Sequence, residues 1–343
     1  MFAPSIKRVV FLLAATGILL SLESRLHATD QPPAGSFLLD LPAQCRFGET
    51  CWVANYVDAD SGPEAKDFRC GPRTYNGHDG VDLAIKDLHV MAQGVPVVAV
   101  APGTIRRLRD GVADVGLSNE ASAETVAGRE CGNGVVIDHG NGWETQYCHM
   151  KHNSLQVKAG QRVERGSRLG LIGLSGKTEF PHVHLTVRHD GHVIDPFTGG
   201  TQDVACGTPG RALWRDPAVG YEEVALYNVG FAASEPFVDA IRQGQPSEVA
   251  MPLDAPALVL WVDLFGVQEQ DVLEFRITGP DGQLVLDRGL QLDRTQARHF
   301  AYAGLRRPRT GWAAGLYNGD VTFRRGQGAT EVRRTRHVTV QFS

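Results

Sequence analysis

The middle of the chain alternates short apolar and polar runs, with glycine and proline between them. Within residues 37–197, "VPVVAVAPGTIRRL" has a Pro102-Gly103 turn between two apolar runs, and "GVVIDHGNGWETQYCHM" has Asn141-Gly142 between two alternating runs. Asn-Gly in that position is a strong hairpin signal. "VKAGQRVERGSRLGLIG" adds short runs between glycine turns, and no long amphipathic helix pattern occurs in this region. The pattern predicts an all-β, antiparallel domain.

From about residue 195 the pattern changes to the Pro- and Gly-rich "DPFTGGTQDVACGTPGRALWRDP", which is typical of a linker or a crossing segment. Beyond it, "ALVLWVDLFG", "DVLEFRITGPDGQLVLDR", "GLYNGDVTFRR" and "RRTRHVTVQF" are strand-like runs at sandwich spacing, and only "SEPFVDAIRQG" is typical of a helix. We therefore expect a C-terminal immunoglobulin-like β-sandwich.

The N-terminus has a different character. Lys7 and Arg8 precede an apolar run over residues 9–22, and "ESRLHA" follows it, which is the order of a secretory signal. The run is short for a membrane span, so cleavage after about Ala28 is favoured over an uncleaved anchor. A length of 343 residues suits two further domains. The predicted division is a signal at 1–28, a first domain at 29–206 with its core at about 70–197, and an accessory domain at 207–343.

Charge and cysteine content narrow the class of protein. Net charge is −5, and it becomes −7 when residues 1–28 are removed with their three basic residues and one acidic residue. This balance excludes the dense basic stripe of a nucleic-acid binder. All six cysteines lie beyond the signal, as expected for disulfides in an oxidising compartment. We expect a secreted, periplasmic protein with no stable membrane span after signal removal.

Candidate chemistry is concentrated in two short stretches. "HVH" places His182 and His184 on one face if the run is a strand, and "GHDGVDLA" places His78 and Asp82 four residues apart. One Asp and two His are a ligand set suited to a catalytic zinc whose fourth position is left to water.

Three ligands leave one histidine of the pair unassigned, together with His149 in "QYCHM". A metal hydrolase needs a group that takes a proton from water and a donor for the developing oxyanion, and two imidazoles can supply both. The chain has no HEXXH motif with its glutamate base, so proton transfer falls to histidine.

Taken in order, "GHDGVDLA", "GVPVVAVAPGTI", "CGNGVVIDHGNGWETQYCHM", "VKAGQRVERGSRLGLIGLSG" and "PHVHLTVRHDGHVIDP" resemble the lysostaphin-type (LytM-like) peptidoglycan zinc metalloendopeptidases over about residues 70–197. The resemblance implies the fold of that family, an antiparallel duplicated hybrid motif. It implies that His78, Asp82 and His184 bind one Zn²⁺ per chain, and that His149 and His182 are catalytic. The implied partners are peptidoglycan peptides and no nucleic acid.

The chain departs from the family at "GKTEFP" before "HVH", at Cys148 before the histidine of the hairpin, and in a long loop between "RRLRD" and "RECGNG". These departures concern the shape of the substrate groove and leave the five site residues in place.

Several alternatives stay open. The protein could be a non-catalytic cell-wall-binding or amidase-activating module that retains the metal site, or a metallopeptidase acting on proteins. His182 and His184 could be ordinary strand histidines, and Asp82 could cap a turn.

Cys148 beside His149 suggests a thiol protease, but adjacent strand side chains point to opposite faces, so a disulfide to Cys131 across the hairpin is preferred. The C-terminal arginines form either a solvated sheet face or an anion-binding surface. The accessory domain is expected to position the enzyme.

Overall fold

The computed structural model describes Met1, residues 37–117 and residues 126–343. The predicted signal at residues 1–28 lies outside the described residues apart from Met1 and stays a prediction. Within the described ranges, no helix is long and apolar enough to cross a membrane.

The first half of the described chain is built from short strands, as the alternating runs predict. They are β1 (Cys51–Asn55), β2 (Val81–Ile85), β3 (Pro96–Val98), β4 (Gly103–Arg109), β5 (Asn133–Gly140), β6 (Trp143–Met150), β7 (Arg162–Val163), β8 (Arg168–Leu171), β9 (His182–His189) and β10 (His192–Ile194). Among the described strands, eight form one antiparallel sheet in the order β1-β2-β9-β6-β5-β4-β7, with β10 beside β9. Strands β3 and β8 pair separately.

The two faces of this sheet differ in chemistry. On β2 and β9, Leu83 and Val183 lie in the apolar core together with Val81, Ile85, Leu185 and Val187. Because side chains alternate along a strand, Asp82 and His184, which are directly opposite each other, project from the other face. That second face, called the polar face below, carries the candidate site.

The second half contains β11 (Ala225–Ala232), β12 (Ala250–Met251), β13 (Ala257–Val267), β14 (Val272–Thr278), β15 (Leu284–Gln291), β16 (Gln296–Arg306), β17 (Gly315–Arg325) and β18 (Val332–Phe342). Three of these form the sheet β11-β13-β16, and the others form β12-β18-β17-β14-β15, in which the short β12 pairs with β18 in parallel. Both sheets contribute to one core, with Leu260 and Val262 from β13 and Phe275 and Phe323 from the other sheet. The all-β prediction is confirmed, and the immunoglobulin-like type of the second half stays a prediction.

The two halves share a small apolar cluster. Trp52, Ala54 and Ala84 from β1 and β2 pack with Ala225, Tyr227 and Phe265 from β11 and β13. Ala84 is two residues from Asp82, so the second half covers the polar face beside the candidate site.

The segment predicted as a linker is held against the first half. Trp214 is buried in the core of the first half, Leu39 pairs with it in an isolated bridge, and Cys206 forms a disulfide with Cys70. This segment is a crossing element that packs on the first half because its aromatic residues complete that core.

Two short helices occur in the described residues. Helix α2 (Val238–Gln243) falls inside the predicted "SEPFVDAIRQG". Helix α1 (Leu88–Gln93), which is equally short, was not predicted. Its N-terminus is capped by Asp87, whose side chain accepts a hydrogen bond from the Val90 N–H at 2.8 Å.

Candidate metal centre

The structure brings all five predicted site residues together on the polar face. His78 precedes β2, Asp82 lies on β2, and His182 and His184 lie on β9. His149 lies near the end of β6, whose Cys148 is opposite His184. All five side chains are buried, with 1 to 7% of each residue exposed.

Three of these residues converge on one point. One atom each of His78, Asp82 and His184 lie within 4.8 Å of one another. The His78 Nε2 is 3.1 Å from the His184 Nδ1, and Asp82 Oδ1 is 3.2 Å from the former and 2.9 Å from the latter. Gly80 permits this approach, because a Cβ there would lie 2.5 Å from His184 Nε2.

The outward atoms of the same three side chains are held by the protein. His78 Nδ1 donates to the Tyr56 carbonyl at 2.6 Å. Asp82 Oδ2 accepts a hydrogen bond from Asn55 Nδ2 at 2.8 Å. These contacts leave His78 Nε2 and Asp82 Oδ1 as the atoms that face the common point.

His184 is oriented in the same way. Its Nε2 lies 3.0 Å from Thr186 Oγ1 and 3.2 Å from Asp79 Oδ1, and donation to that carboxylate leaves Nδ1 as the inward atom. Each of the three side chains is thus oriented by a hydrogen bond to its outward polar atom. The two imidazole nitrogens and the carboxylate oxygen that face inward fit a zinc ion with an open fourth position.

His149 and His182 lie beside this ligand set. Their ring centroids are 4.7 Å apart. His149 Nδ1 donates to the Ser175 carbonyl at 2.8 Å, and His182 Nδ1 is 2.9 Å from the Phe180 carbonyl. Each ring therefore presents Nε2 to the site, and that of His182 is 3.2 Å from Asp82 Oδ1.

The electrostatics separate the roles of these groups. Burial would raise the pKa of Asp82, but the imidazoles of His78, His182 and His184 outweigh it and hold this pKa well below its usual range. Burial, followed by the charges of His182 and His184, holds the pKa of His149 well below its ordinary value. His149 is therefore neutral at pH 7 and able to accept a proton.

His184 behaves in the opposite way in the metal-free protein. Burial lowers its pKa, but hydrogen bonds to Asp79 and Asp82 together raise it to about 9. A cation at the common point would take the place of the proton on Nδ1.

The prediction of a Cys131–Cys148 disulfide is confirmed, and the other two bonds join Cys45 to Cys51 and Cys70 to Cys206. This rules out Cys148 as a free thiol nucleophile. The expected strand alternation does not hold at this pair, because His149 has a φ of 59° and so leaves the extended conformation directly after Cys148. Its N–H donates to the Cys131 carbonyl at 2.8 Å, so the disulfide-bonded loop supports the His149 backbone.

The residues that orient the site were not predicted from the sequence. Asp79 lies inside the "GHDGVD" stretch and could have been found there, whereas Asn55 and Ser175 are distant in sequence and carry no local signal. Two of the C-terminal arginines bind groups of the protein itself: Arg325 pairs with Asp271 at 2.7 Å, and Arg336 donates to the carbonyls of Leu226 and Gly48.

A groove of about 590 Å³ lies between the two halves, next to this centre. Asn55 and Phe180 line it from the first half, and Arg242, Phe265 and Arg298 line it from the second. The Phe180 ring is 4.8 Å from the His182 ring and 5.3 Å from the Phe265 ring. The Phe180 side chain therefore lies between His182 of the site and Phe265 of the second half.

Comparison with known proteins gives matches to the first half. Residues 76–196 match Peptidase family M23. A peptidoglycan DD-endopeptidase of Vibrio cholerae, ShyA, is 49% identical over 64 residues, which are 19% of this chain and 14% of that protein. A DD-carboxypeptidase/endopeptidase of Neisseria meningitidis serogroup B, Mpg, is 32% identical over 138 residues, which are 40% of this chain and 24% of that protein.

Among solved structures, the catalytic domain of lysostaphin from Staphylococcus simulans matches 35% of this chain and 78% of its own, with 24% identity and a TM-score of 0.26. The chain spans less than a quarter of either curated relative. The matched segment contains His78, Asp82, His149, His182 and His184. Residues 76–196 of this chain are therefore similar to Peptidase family M23, which confirms the resemblance found in the sequence.

Proposed function

We propose that this protein is a secreted zinc metalloendopeptidase that hydrolyses peptide bonds in the cross-links or stems of peptidoglycan. The observation that carries the proposal is the convergence of His78, Asp82 and His184, whose three inward atoms lie within 4.8 Å of one another. These residues would hold one zinc ion.

Zinc bound there would supply Lewis acidity that polarises the scissile carbonyl and makes water acidic enough to react near neutral pH. His149, kept neutral by burial and by its neighbours, would accept the proton of the attacking water. His182 in its imidazolium form, with one proton on Nδ1 directed to the Phe180 carbonyl, would direct the other, on Nε2, to the oxyanion. Burial of the whole set strengthens each of these interactions by excluding water.

The substrate and the compartment are inferred from separate observations. The matched relative of Vibrio cholerae is named as a peptidoglycan DD-endopeptidase and that of Neisseria meningitidis as a DD-carboxypeptidase/endopeptidase, which supports peptidoglycan peptides as the substrate. Three disulfides support an oxidising compartment, and we place the protein in the periplasm. We also propose that residues 29–206 are the peptidase domain and residues 207–343 an accessory domain.

The test is digestion of purified sacculi by the zinc-loaded protein, with identification of the released fragments by mass spectrometry. We expect peptide fragments with new amino and carboxyl termini, none in the presence of a chelator, and recovery when zinc is restored. Tight binding to sacculi without any cleavage would instead support a non-catalytic wall-binding or amidase-activating module.

A further inference from the structure

A second cavity of about 220 Å³ lies on the side of the polar face away from the accessory half. We call it the arginine pocket. It is lined by Arg107, Arg109, Cys131, Gly132, Gly134 and Gln146, with aliphatic neighbours. Its described lining contains two guanidinium groups and no carboxylate.

Strand register places this pocket on the same face as the metal centre. Arg107 is opposite Val136, which is opposite Gln146, which is opposite Thr186. Arg109 is opposite Gly134, and Cys148 is opposite His184, with a register shift between Asn133 and Val135 in the intervening strand pair. A Cβ on Gly134 would lie 2.9 Å from Cys131 Sγ, so the disulfide packs against this glycine and forms one wall of the pocket.

Nearby acids are already paired with other arginines. Glu144 is 2.8 Å from Arg106 Nη1 and Asp79 is 3.1 Å from Arg188 Nη2, whereas Arg107 lies 3.9 Å from Glu144. Arg109 donates its Nε–H to the Gly132 carbonyl, and this hydrogen bond fixes the orientation of the guanidinium group. Among the described residues, Arg107 has only this long ion pair with the shared Glu144, and Arg109 has no ion pair within 4 Å, so both guanidinium groups can still bind an anion.

The distance from the metal centre suits a peptide substrate. Arg109 on β4 and His184 on β9 are separated by β5 and β6, so three strand spacings of about 4.8 Å put about 14 Å between their backbones. An extended peptide covers that distance with about four residues. A chain laid across the sheet with its scissile bond at the metal centre would bring a nearby side chain into the pocket.

We propose that the arginine pocket is a substrate subsite that binds a carboxylate about four residues from the scissile bond. The substrate class is therefore an acidic peptide, because guanidinium groups bind carboxylates in strong, charge-assisted pairs. A peptidoglycan cross-bridge made only of neutral residues would gain no binding energy from this subsite. The inference rests on the proposed peptidase function and specifies its substrate.

The test uses two probes, namely soluble cross-linked dimers of stem peptides with free carboxylates, and the same dimers after conversion of the carboxylates to carboxamides. We expect the zinc-loaded wild type to show a kcat/KM roughly 10- to 100-fold higher for the acidic dimer. The double variant R107Q/R109Q should lose this ratio, whereas R107K/R109K should keep much of it. R288Q, an exposed arginine on β15 of the other half, is the matched control and should retain the wild-type ratio.

Equal ratios in the wild type and in R107Q/R109Q would overturn the subsite, provided that thermal unfolding shows the variant to be folded. If the wild type cleaves neither dimer, the proposed function fails, and the subsite is judged by binding of the two fluorescently labelled dimers to the same proteins. A preference for the acidic dimer that depends on Arg107 and Arg109 would uphold it, and equal binding of both dimers would refute it.

Discussion

Buried carboxylates occur in both halves of the protein, but they have different partners. In the second half, Asp271 is 2% exposed and accepts hydrogen bonds from Arg325 at 2.7 and 2.8 Å. Asp263 is fully buried and accepts two from Arg242 at 2.8 and 3.0 Å. In the first half, Asp82 is 2% exposed, and its inward oxygen meets imidazole nitrogens of three histidines.

The partners of a buried carboxylate distinguish one that only stabilises the fold from one that can take part in metal binding or catalysis. An arginine neutralises a buried carboxylate permanently, so the pairs of the second half are complete within the protein. Imidazole is a ligand as well as a base, and the lone pairs around Asp82 converge where a cation fits. Substitutions around Asp82 should therefore change metal binding, whereas substitutions in the arginine–carboxylate pairs should change stability.

The largest expected effect is on His78 or Asp82. Either His78→Ala or Asp82→Ala removes one of three ligands, so zinc retention and hydrolysis of sacculi should be lost together. Metal content after dialysis measures zinc retention, and release of fragments from sacculi measures hydrolysis. His192→Ala, an exposed histidine on β10, is the control. Full zinc occupancy in either ligand variant would refute the assignment.

His149→Ala should separate binding from turnover. His149 is oriented by Ser175 and has no place among the three ligands, so the variant should keep its zinc and lose about 10²- to 10⁴-fold in kcat. The exposed His152, three residues away, gives a control variant with unchanged kcat. Loss of zinc in His149→Ala would show that this residue belongs to the ligand set.

Arg325→Ala should affect stability without affecting metal. It leaves Asp271 buried without its guanidinium partner, which costs about 3 kcal/mol in the free energy of unfolding. Chemical denaturation of the zinc-loaded protein measures this, and Arg306→Ala, an exposed arginine at the end of β16, should change little. A stability unchanged by Arg325→Ala would contradict the contrast between the two halves.

Asp79→Asn should have the smallest effect. The Asp79 carboxylate orients the His184 ring from outside the ligand set, so its loss should weaken zinc affinity by about 10- to 100-fold. Competition with a chromogenic chelator measures the affinity. Asp190→Asn, a carboxylate beside His189 at the end of the same strand, is the matched control. Equal affinities for the two variants would deny Asp79 a role in orienting His184.

Local patterns were sufficient for much of the fold and for the identity of the site residues. The Asn141-Gly142 signal predicted the β5–β6 hairpin, since turn chemistry is set by adjacent residues. Alternation in "HVH" predicted that His182 and His184 share a face, and the structure confirms it. These features depend on neighbours in sequence.

Features that depend on distant residues could not be predicted. The Cys70–Cys206 disulfide spans 136 residues, and six cysteines allow many pairings. Asn55 contacts Asp82 only because β1 pairs with β2, and an isolated asparagine has no characteristic spacing. The left-handed backbone of His149 is likewise set by the surrounding loop, because histidine has no preference for that conformation strong enough to be seen in sequence.

The apolar cluster shared by the two halves has a consequence for the exchange of one half for another module. Trp52, Ala54 and Ala84 are covered by Ala225, Tyr227 and Phe265, and the groove beside the metal centre has one wall from each half. Recombination that exchanged residues 207–343 for another module would therefore leave an aromatic patch bare and remodel the entrance for substrate. Under the proposed function, a substitution at Phe265 or Arg298 in the second half would therefore change the choice of substrate without touching a ligand.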